Sequence, residues 1–166
     1  SRASSQPAFW NERYQAHDRL FGTAPDPFLA DALSMLPSDT SVLDVGGGDG
    51  RNTLPLAREH GFEVTVLDFA HHALDTATAY ANVQSITAAA MHADVRTWTP
   101  QRRYDSAVVA FVQLLPEERQ RLYAQLRAAV KPGGRIIGVW FRDDHKEDAY
   151  DRIGPSKPDR YVDARE

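Results

Sequence analysis

The sequence predicts an α/β fold, a doubly wound, mostly parallel sheet with helices on both faces. Three observations carry this. Short aliphatic runs recur (Val42, Leu43 and Val45; Phe62 to Leu67; Ala107 to Val112), as in strands buried on both sides. Segments with apolar residues at helical spacing separate them, which argues for parallel crossovers. The first run then breaks into Gly46-Gly47-Gly48-Asp49-Gly50 before a helix-like stretch. Glycines there permit a tight turn and let backbone N–H groups approach a ligand, which in such folds sits at the carboxyl ends of strands.

The elements follow in order. Residues 1–7 are small and polar, and residues 1–26 read as a flexible, aromatic lid segment ahead of one cofactor-binding domain over 27–166. Phe9 to Phe21 reads as a short helix and a loop, with Trp10 and Tyr14 four apart on one face. Asp26-Pro27 is N-cap and first position of a helix carrying Phe28, Leu29, Ala32, Leu33 and Leu36 and stopping near Pro37. After the first strand a helix runs to about Arg58, with Pro55 in its first turn and Gly61 ending it. Strand two, Phe62 to Leu67, closes on Asp68, and a helix spans Ala70 to Ala81. Strand three, Ile86 to Ala93, ends in Asp94, and strand four covers Ala107 to Val112. A helix from Pro116 stops at Lys131-Pro132-Gly133-Gly134, a turn needing a positive φ, and Arg135 to Phe141 is the fifth strand.

Bulk properties narrow the function. With 166 residues there is one domain's worth of chain. A net charge of −4 argues against a general nucleic-acid binder, and pairs such as Arg102-Arg103 read as solvated faces. No apolar run approaches a membrane span, and SRASSQP lacks a signal peptide's apolar core, so the expected compartment is cytoplasmic. Without cysteine there is no thiolate metal site or thiol nucleophile. His60, His71, His72 and His92 form no convincing base or metal site. His17, beside the aromatic segment, is the one worth testing as a base.

The glycine turn selects among nucleotide ligands. In the dinucleotide fingerprint the third small residue would fall on Arg51, and a P-loop would need Lys followed by Ser or Thr. What stands here is Asp44-x-Gly46-x-Gly48-x-Gly50, with Asp68 18 residues beyond Gly50 at a strand end, and Asp94 at the next. A carboxylate so placed can accept both hydroxyls of a ribose.

Together these motifs resemble class I S-adenosylmethionine-dependent methyltransferases over roughly Ser41 to Phe141. The resemblance implies a Rossmann-like methyltransferase fold with seven strands and S-adenosylmethionine as methyl donor. It implies that Gly46 and Gly48 approach the cofactor, Asp68 takes the ribose, and Asp94 with the Val95 backbone takes the adenine. Phe69 would pack on the adenine, and Phe111 and Val112 would border the methionine portion. Arg51 and the turn N–H groups are expected to face the methionine end. Three strings, FWNERY…FGTAPDPFL, GDGRN and RRYDSAVVAFVQLLP, look like the small bacterial branch with tellurite-resistance and thiopurine-type methyltransferases. That likeness places Trp10, Tyr14 and Phe21 near the donor methyl; the other reading is that these aromatics cover a sheet edge. Gln113 stands where many relatives have histidine.

The expected activity is methyl transfer to a small-molecule acceptor by in-line displacement. The alternatives are a cofactor-binding but catalytically silent module and, more distantly, a nicotinamide-dependent oxidoreductase. The chain ends before the family's last two strands, leaving strand five as an apolar edge. That edge calls for either a longer natural chain or a homodimer that buries it.

Overall fold

The computed structural model describes residues 6–16 and 24–140. The expectations for His17, Phe21, Phe141 and the tail 142–166 lie outside the described residues. Ten elements follow in order: α1 (Pro7–Ala16), α2 (Pro27–Ser34), β1 (Ser41–Val45), α3 (Leu54–His60), β2 (Glu63–Asp68), α4 (His71–Val83), β3 (Ala88–His92), β4 (Tyr104–Ala110), α5 (Pro116–Ala129) and β5 (Val130–Val139). All strand pairs are parallel, and the sheet order is β3-β2-β1-β4-β5. The chain therefore reverses direction across the sheet between β1 and β4, which opens a crevice at the carboxyl end of β1.

The three central strands β1, β2 and β4 alternate between two apolar layers, which is why they read as continuous aliphatic runs. Val42, Val64, Val66 and Val108 point to one layer with Leu29 and Leu33 of α2, Leu54 and Leu56 of α3, and Leu74 and Ala77 of α4. Leu43, Val45, Leu67, Ala107 and Val109 point to the other, against Leu122, Leu126 and Ala129 of α5. Full burial of one such side chain stabilises by about 1.5–3 kcal/mol, so both layers are needed to hold the sheet. The helical stripes expected on α4 (Ala73, Leu74, Ala77, Ala81) and α5 are the buried ones. Phe28 departs from its stripe and is 60% exposed.

Local chemistry sets the helix ends. Asp26 Oδ1 accepts the Leu29 N–H at 3.2 Å, capping α2, while the Asp26 N–H donates to Asn52 Oδ1 at 2.9 Å. Pro55 lies in the first turn of α3, and Gly61 ends that helix at φ 77°.

Several boundaries differ from the sequence expectation. Strand four starts earlier, at Tyr104, and ends at Ala110, because Phe111 leaves the extended region with φ 56°. Strand three is shorter than Ile86 to Ala93, and α4 runs on to Val83. Strand five begins at Val130 rather than Arg135, with the Lys131-Pro132-Gly133-Gly134 segment an irregularity inside it. The register passes from Tyr104 opposite Val130 to Ser106 opposite Arg135, and Gly133 absorbs the excess at φ 80°. Lys131 Nζ pairs there with Asp105 Oδ1 at 3.0 Å, and Asp105 Oδ2 accepts the N–H and hydroxyl of Ser41. These bonds, the Ser41 N–H foremost, hold the Asp105 carboxyl well below the usual carboxylate range.

Candidate cofactor site

The site grows from the end of β1. Gly46, Gly48 and Gly50 adopt φ of 65°, 58° and 76°, so each alternate glycine sits where L side chains are strained. That alternation is the physical content of the Gly-x-Gly-x-Gly spacing. Space is restricted as well: a Cβ at Gly46 would meet Val112 Cγ2, and one at Gly48 would run into the Tyr14 hydroxyl. The turn is pinned to β2 through its backbone. Gly46 and Gly47 donate to the Leu67 carbonyl at 2.7 and 3.2 Å, and Gly48 donates to Asp68 Oδ2 at 2.9 Å.

Asp68 spans two elements, since its Oδ1 accepts the Ala70 N–H at 2.8 Å just before α4. Burial raises its pKa, and the N–H bonds from Ala70 and Gly48 work against that rise. Asp44 lies beneath the turn, buried, accepting the Thr53 hydroxyl on Oδ2 at 2.7 Å. Burial pushes its pKa up to about 7, with the Thr53 bond opposing and Asp68 and Asp49 adding to the rise. Asp49 is also buried and accepts the Arg51 N–H at 3.2 Å. Three carboxylates thus converge on one turn.

Tyr14 enters this group from α1. Burial raises its phenol pKa first, and Asp68 and Asp49 raise it further, while Arg51 acts in the opposite sense. A neutral hydroxyl therefore lies over the glycine turn. Trp10, expected beside it, is half-buried and packs on Phe9 edge-to-face at 5.2 Å, with the Arg13 guanidinium 5.9 Å from its ring.

The other expected residues distribute as follows. Arg51 is half-buried, with Nη1 3.4 Å from the Ala24 carbonyl. Phe69 is half-buried at the end of β2, its carbonyl 3.0 Å from His92 Nε2. Asp94 is forked by Arg96, Nε to Oδ1 at 3.0 Å and Nη2 to Oδ2 at 2.6 Å, with a side chain 27% exposed. Val95 packs on the α5-side layer, as does Val112. Phe111 holds its positive φ while its N–H donates to the Val139 carbonyl at 2.7 Å. A bulky residue in that region stores strain, a common feature of functional loops. Gln113 is half-buried in the same loop, which buried Arg119 braces through the Leu114 carbonyl at 3.0 Å.

Sequence reasoning missed Thr53, Asn52 and Asn11. Their partners Asp44, Asp26 and His72 lie 9, 26 and 61 residues away in the chain, and periodicity carries no such signal. The fold brings His71, expected at a helix start with His72, to 4.5 Å from His72 and 6.1 Å from His92 of β3 between ring centroids. Among the described residues no group of three or more His, Cys, Asp or Glu side chains is arranged to hold a metal ion.

A parallel sheet of order 3-2-1-4-5, with a glycine cradle at its reversal point and an acidic residue ending β2, defines an α/β domain built for a nucleoside-bearing ligand. Residues 42–134 match the family model described as "Methyltransferase domain", and the chain belongs to that family. Its class is that of the S-adenosylmethionine-dependent methyltransferases. Among curated proteins it is similar to the ubiquinone biosynthesis O-methyltransferase of Rickettsia conorii, 29% identical over 133 residues. The match covers 80% of this chain and 46% of that protein, so the chain spans less than half the relative's length. Among solved structures it resembles a SAM-dependent methyltransferase from Geobacter sulfurreducens in complex with S-adenosyl-L-homocysteine. The TM-score is 0.63 at 20% identity, over 78% of this chain and 53% of that one. It also resembles a glycopeptide N-methyltransferase complexed with S-adenosylmethionine, with TM-score 0.60 at 24% identity, over 71% and 55%.

The residues present fit the family's cofactor. The left-handed glycines of the cradle leave backbone N–H groups without side chains of their own over them, as a site of close backbone approach requires. Buried Asp44, Asp49 and Asp68 match a ligand that carries a sulfonium and an ammonium cation.

Proposed function

We propose that this protein binds S-adenosylmethionine at the glycine turn and transfers its methyl group to a small-molecule acceptor. The observation that carries this is the turn itself: three left-handed glycines, Gly48 among them bonded to Asp68, in the company of the buried carboxylates of Asp44, Asp49 and Asp68. In this reading Gly46 and Gly48 allow the close approach, Arg51 and the turn N–H groups face the methionine end, and Asp68 accepts from the ribose. Phe69, Asp94 and the Val95 N–H receive the adenine, Asp94 while also holding Arg96. Phe111 and Val112, at the end of β4, border the methionine portion and set the floor on which the acceptor approaches.

The bound cofactor supplies an electrophilic methyl on a sulfonium, whose departure as a neutral thioether needs no acid. The protein's task is then alignment, since holding nucleophile and methyl in attack geometry can supply roughly 7–11 kcal/mol. In this reading α1 serves as the lid, carrying Trp10 and Tyr14 over the site; His17 and Phe21, expected beside them, lie outside the described residues. Gln113, an amide, can orient an acceptor but cannot take its proton. Relatives named as O-methyltransferases make an oxygen acceptor the first to test, and the thiopurine-type likeness makes a thiol the second. No helix among the described residues is long and apolar enough to cross a membrane. A cytoplasmic enzyme acting on a diffusible substrate is the matching assignment. Ile136 on the β5 edge is 45% exposed, and a homodimer or further chain covering that edge belongs to the same proposal.

The silent-module alternative draws on the short sheet, five strands among the described residues. A methyl-transfer screen over phenols, thiols and amines separates the two. Turnover with any acceptor class supports the enzyme, whereas cofactor binding without turnover supports the module.

A further inference from the structure

We infer that Asn11 is the positioning residue that seats α1, and with it Tyr14, on the glycine turn. The inference rests on reading this turn as the cofactor site. α4 begins at His71 without a side-chain cap of its own, because the N-cap residue is Ala70. The acceptor comes instead from another helix: Asn11 Oδ1 of α1 takes the His72 N–H at 3.0 Å. This is the second position of α4, the N–H that an N-cap side chain ordinarily satisfies. The Asn11 amide then places its Nδ2 3.3 Å from His71 Nε2, a second bond to the same helix start.

The consequence reaches the site through a closed ring of contacts. Tyr14 follows Asn11 by three residues, so both lie on one face of α1. Asn11 grips the start of α4 while the Tyr14 hydroxyl lies on Gly48. Gly48 donates to Asp68 Oδ2, and Asp68 Oδ1 accepts from Ala70, which leads back into α4. α1 contributes no fully buried residue, so its seat depends on contacts at its surface such as these two. Asn11 therefore sets both the depth and the register at which Tyr14 enters the turn, without touching the ligand itself.

Hydrogen exchange on the ligand-free 166-residue protein tests this directly, comparing wild type, Asn11→Ala and Asn11→Asp. Loss of the cap in Asn11→Ala should accelerate exchange across residues 7–16 and at the His72 amide by about fivefold or more, the scale of one helix cap. Exchange in β1 and β4 should stay unchanged, which controls for global unfolding. Asn11→Asp keeps an acceptor toward the His72 N–H and should remain within about twofold of wild type. Calorimetry with S-adenosylhomocysteine should then show Asn11→Ala binding roughly three- to tenfold more weakly, with Asn11→Asp near wild type. Unchanged protection in Asn11→Ala, or equal loss in both variants, would overturn the inference. Wild type that fails to bind S-adenosylhomocysteine would overturn the cofactor reading instead, while the ligand-free comparison still decides how α1 is seated.

Discussion

The Gly48 N–H donates to Asp68 Oδ2 at 2.9 Å, so the glycine turn after β1 and the end of β2 form one unit. The other oxygen of the same carboxylate holds the Ala70 N–H at the entry to α4. Asp68 thus shapes the site before any ligand arrives.

Asp68→Asn should therefore do two things. Its amide can accept from only one of the two N–H groups, and leaving a buried donor unsatisfied costs about 1–3 kcal/mol, readable by urea denaturation. Affinity for S-adenosylhomocysteine should also fall by more than about tenfold, since bonds to a charged group are worth roughly 1.5–3 kcal/mol. A variant that is destabilised but binds normally would remove the ribose assignment.

Gly48→Ala should displace α1. The left-handed backbone there costs an L-residue roughly 1–2 kcal/mol, and the added Cβ meets the Tyr14 hydroxyl. Tyrosine exposure, followed by solvent perturbation of near-ultraviolet absorbance, should rise relative to wild type. Unaltered Tyr14 exposure would contradict the close approach of these two residues.

Asp44 predicts a pH dependence with a definite sign. Its carboxyl titrates near 7 in the fold against an ordinary value of 3.8, so the folded state keeps the proton longer than the unfolded chain does. The stabilisation is complete below the ordinary value and is lost as pH rises towards about 7, by at most ~4 kcal/mol. Asp44→Asn keeps an acceptor for the Thr53 hydroxyl and carries no charge, so its stability should vary less between pH 4 and 7 than wild type's. Chemical denaturation at stepped pH checks this; parallel slopes for the two proteins would refute the assignment.

The lid reading predicts slower hydrogen exchange across residues 7–16 when S-adenosylhomocysteine is added. Closure of α1 over the site, with Tyr14 and Trp10 on the lid itself, would exclude water. Equal protection with and without ligand would count against it.

Much of the sheet was legible because its signals are local. A β-branched run followed by alternating glycines needs only neighbouring residues to be read, and the tight turn expected there is present, with Gly46, Gly48 and Gly50 at positive φ. Pro55 and Gly61 marked the ends of α3 for the same reason. What escaped depends on tertiary contacts. Phe111 adopts a conformation its own side chain disfavours, held by the bond to Val139, so strand four stops earlier than its apolar run suggests. Strand five starts early because Val130 pairs with Tyr104 across a bulge that glycines make feasible. The capping of α4 by Asn11 links residues that only the assembled fold brings together.

The central claim is that the glycine turn holds S-adenosylmethionine. Isothermal titration of the 166-residue protein with S-adenosylhomocysteine, and in parallel with NAD, tests it most directly. The account predicts one S-adenosylhomocysteine per chain, weakened in Asp68→Asn, and no heat of binding with NAD. Saturable binding of NAD at the turn, or no binding of S-adenosylhomocysteine to folded wild-type protein, would contradict it.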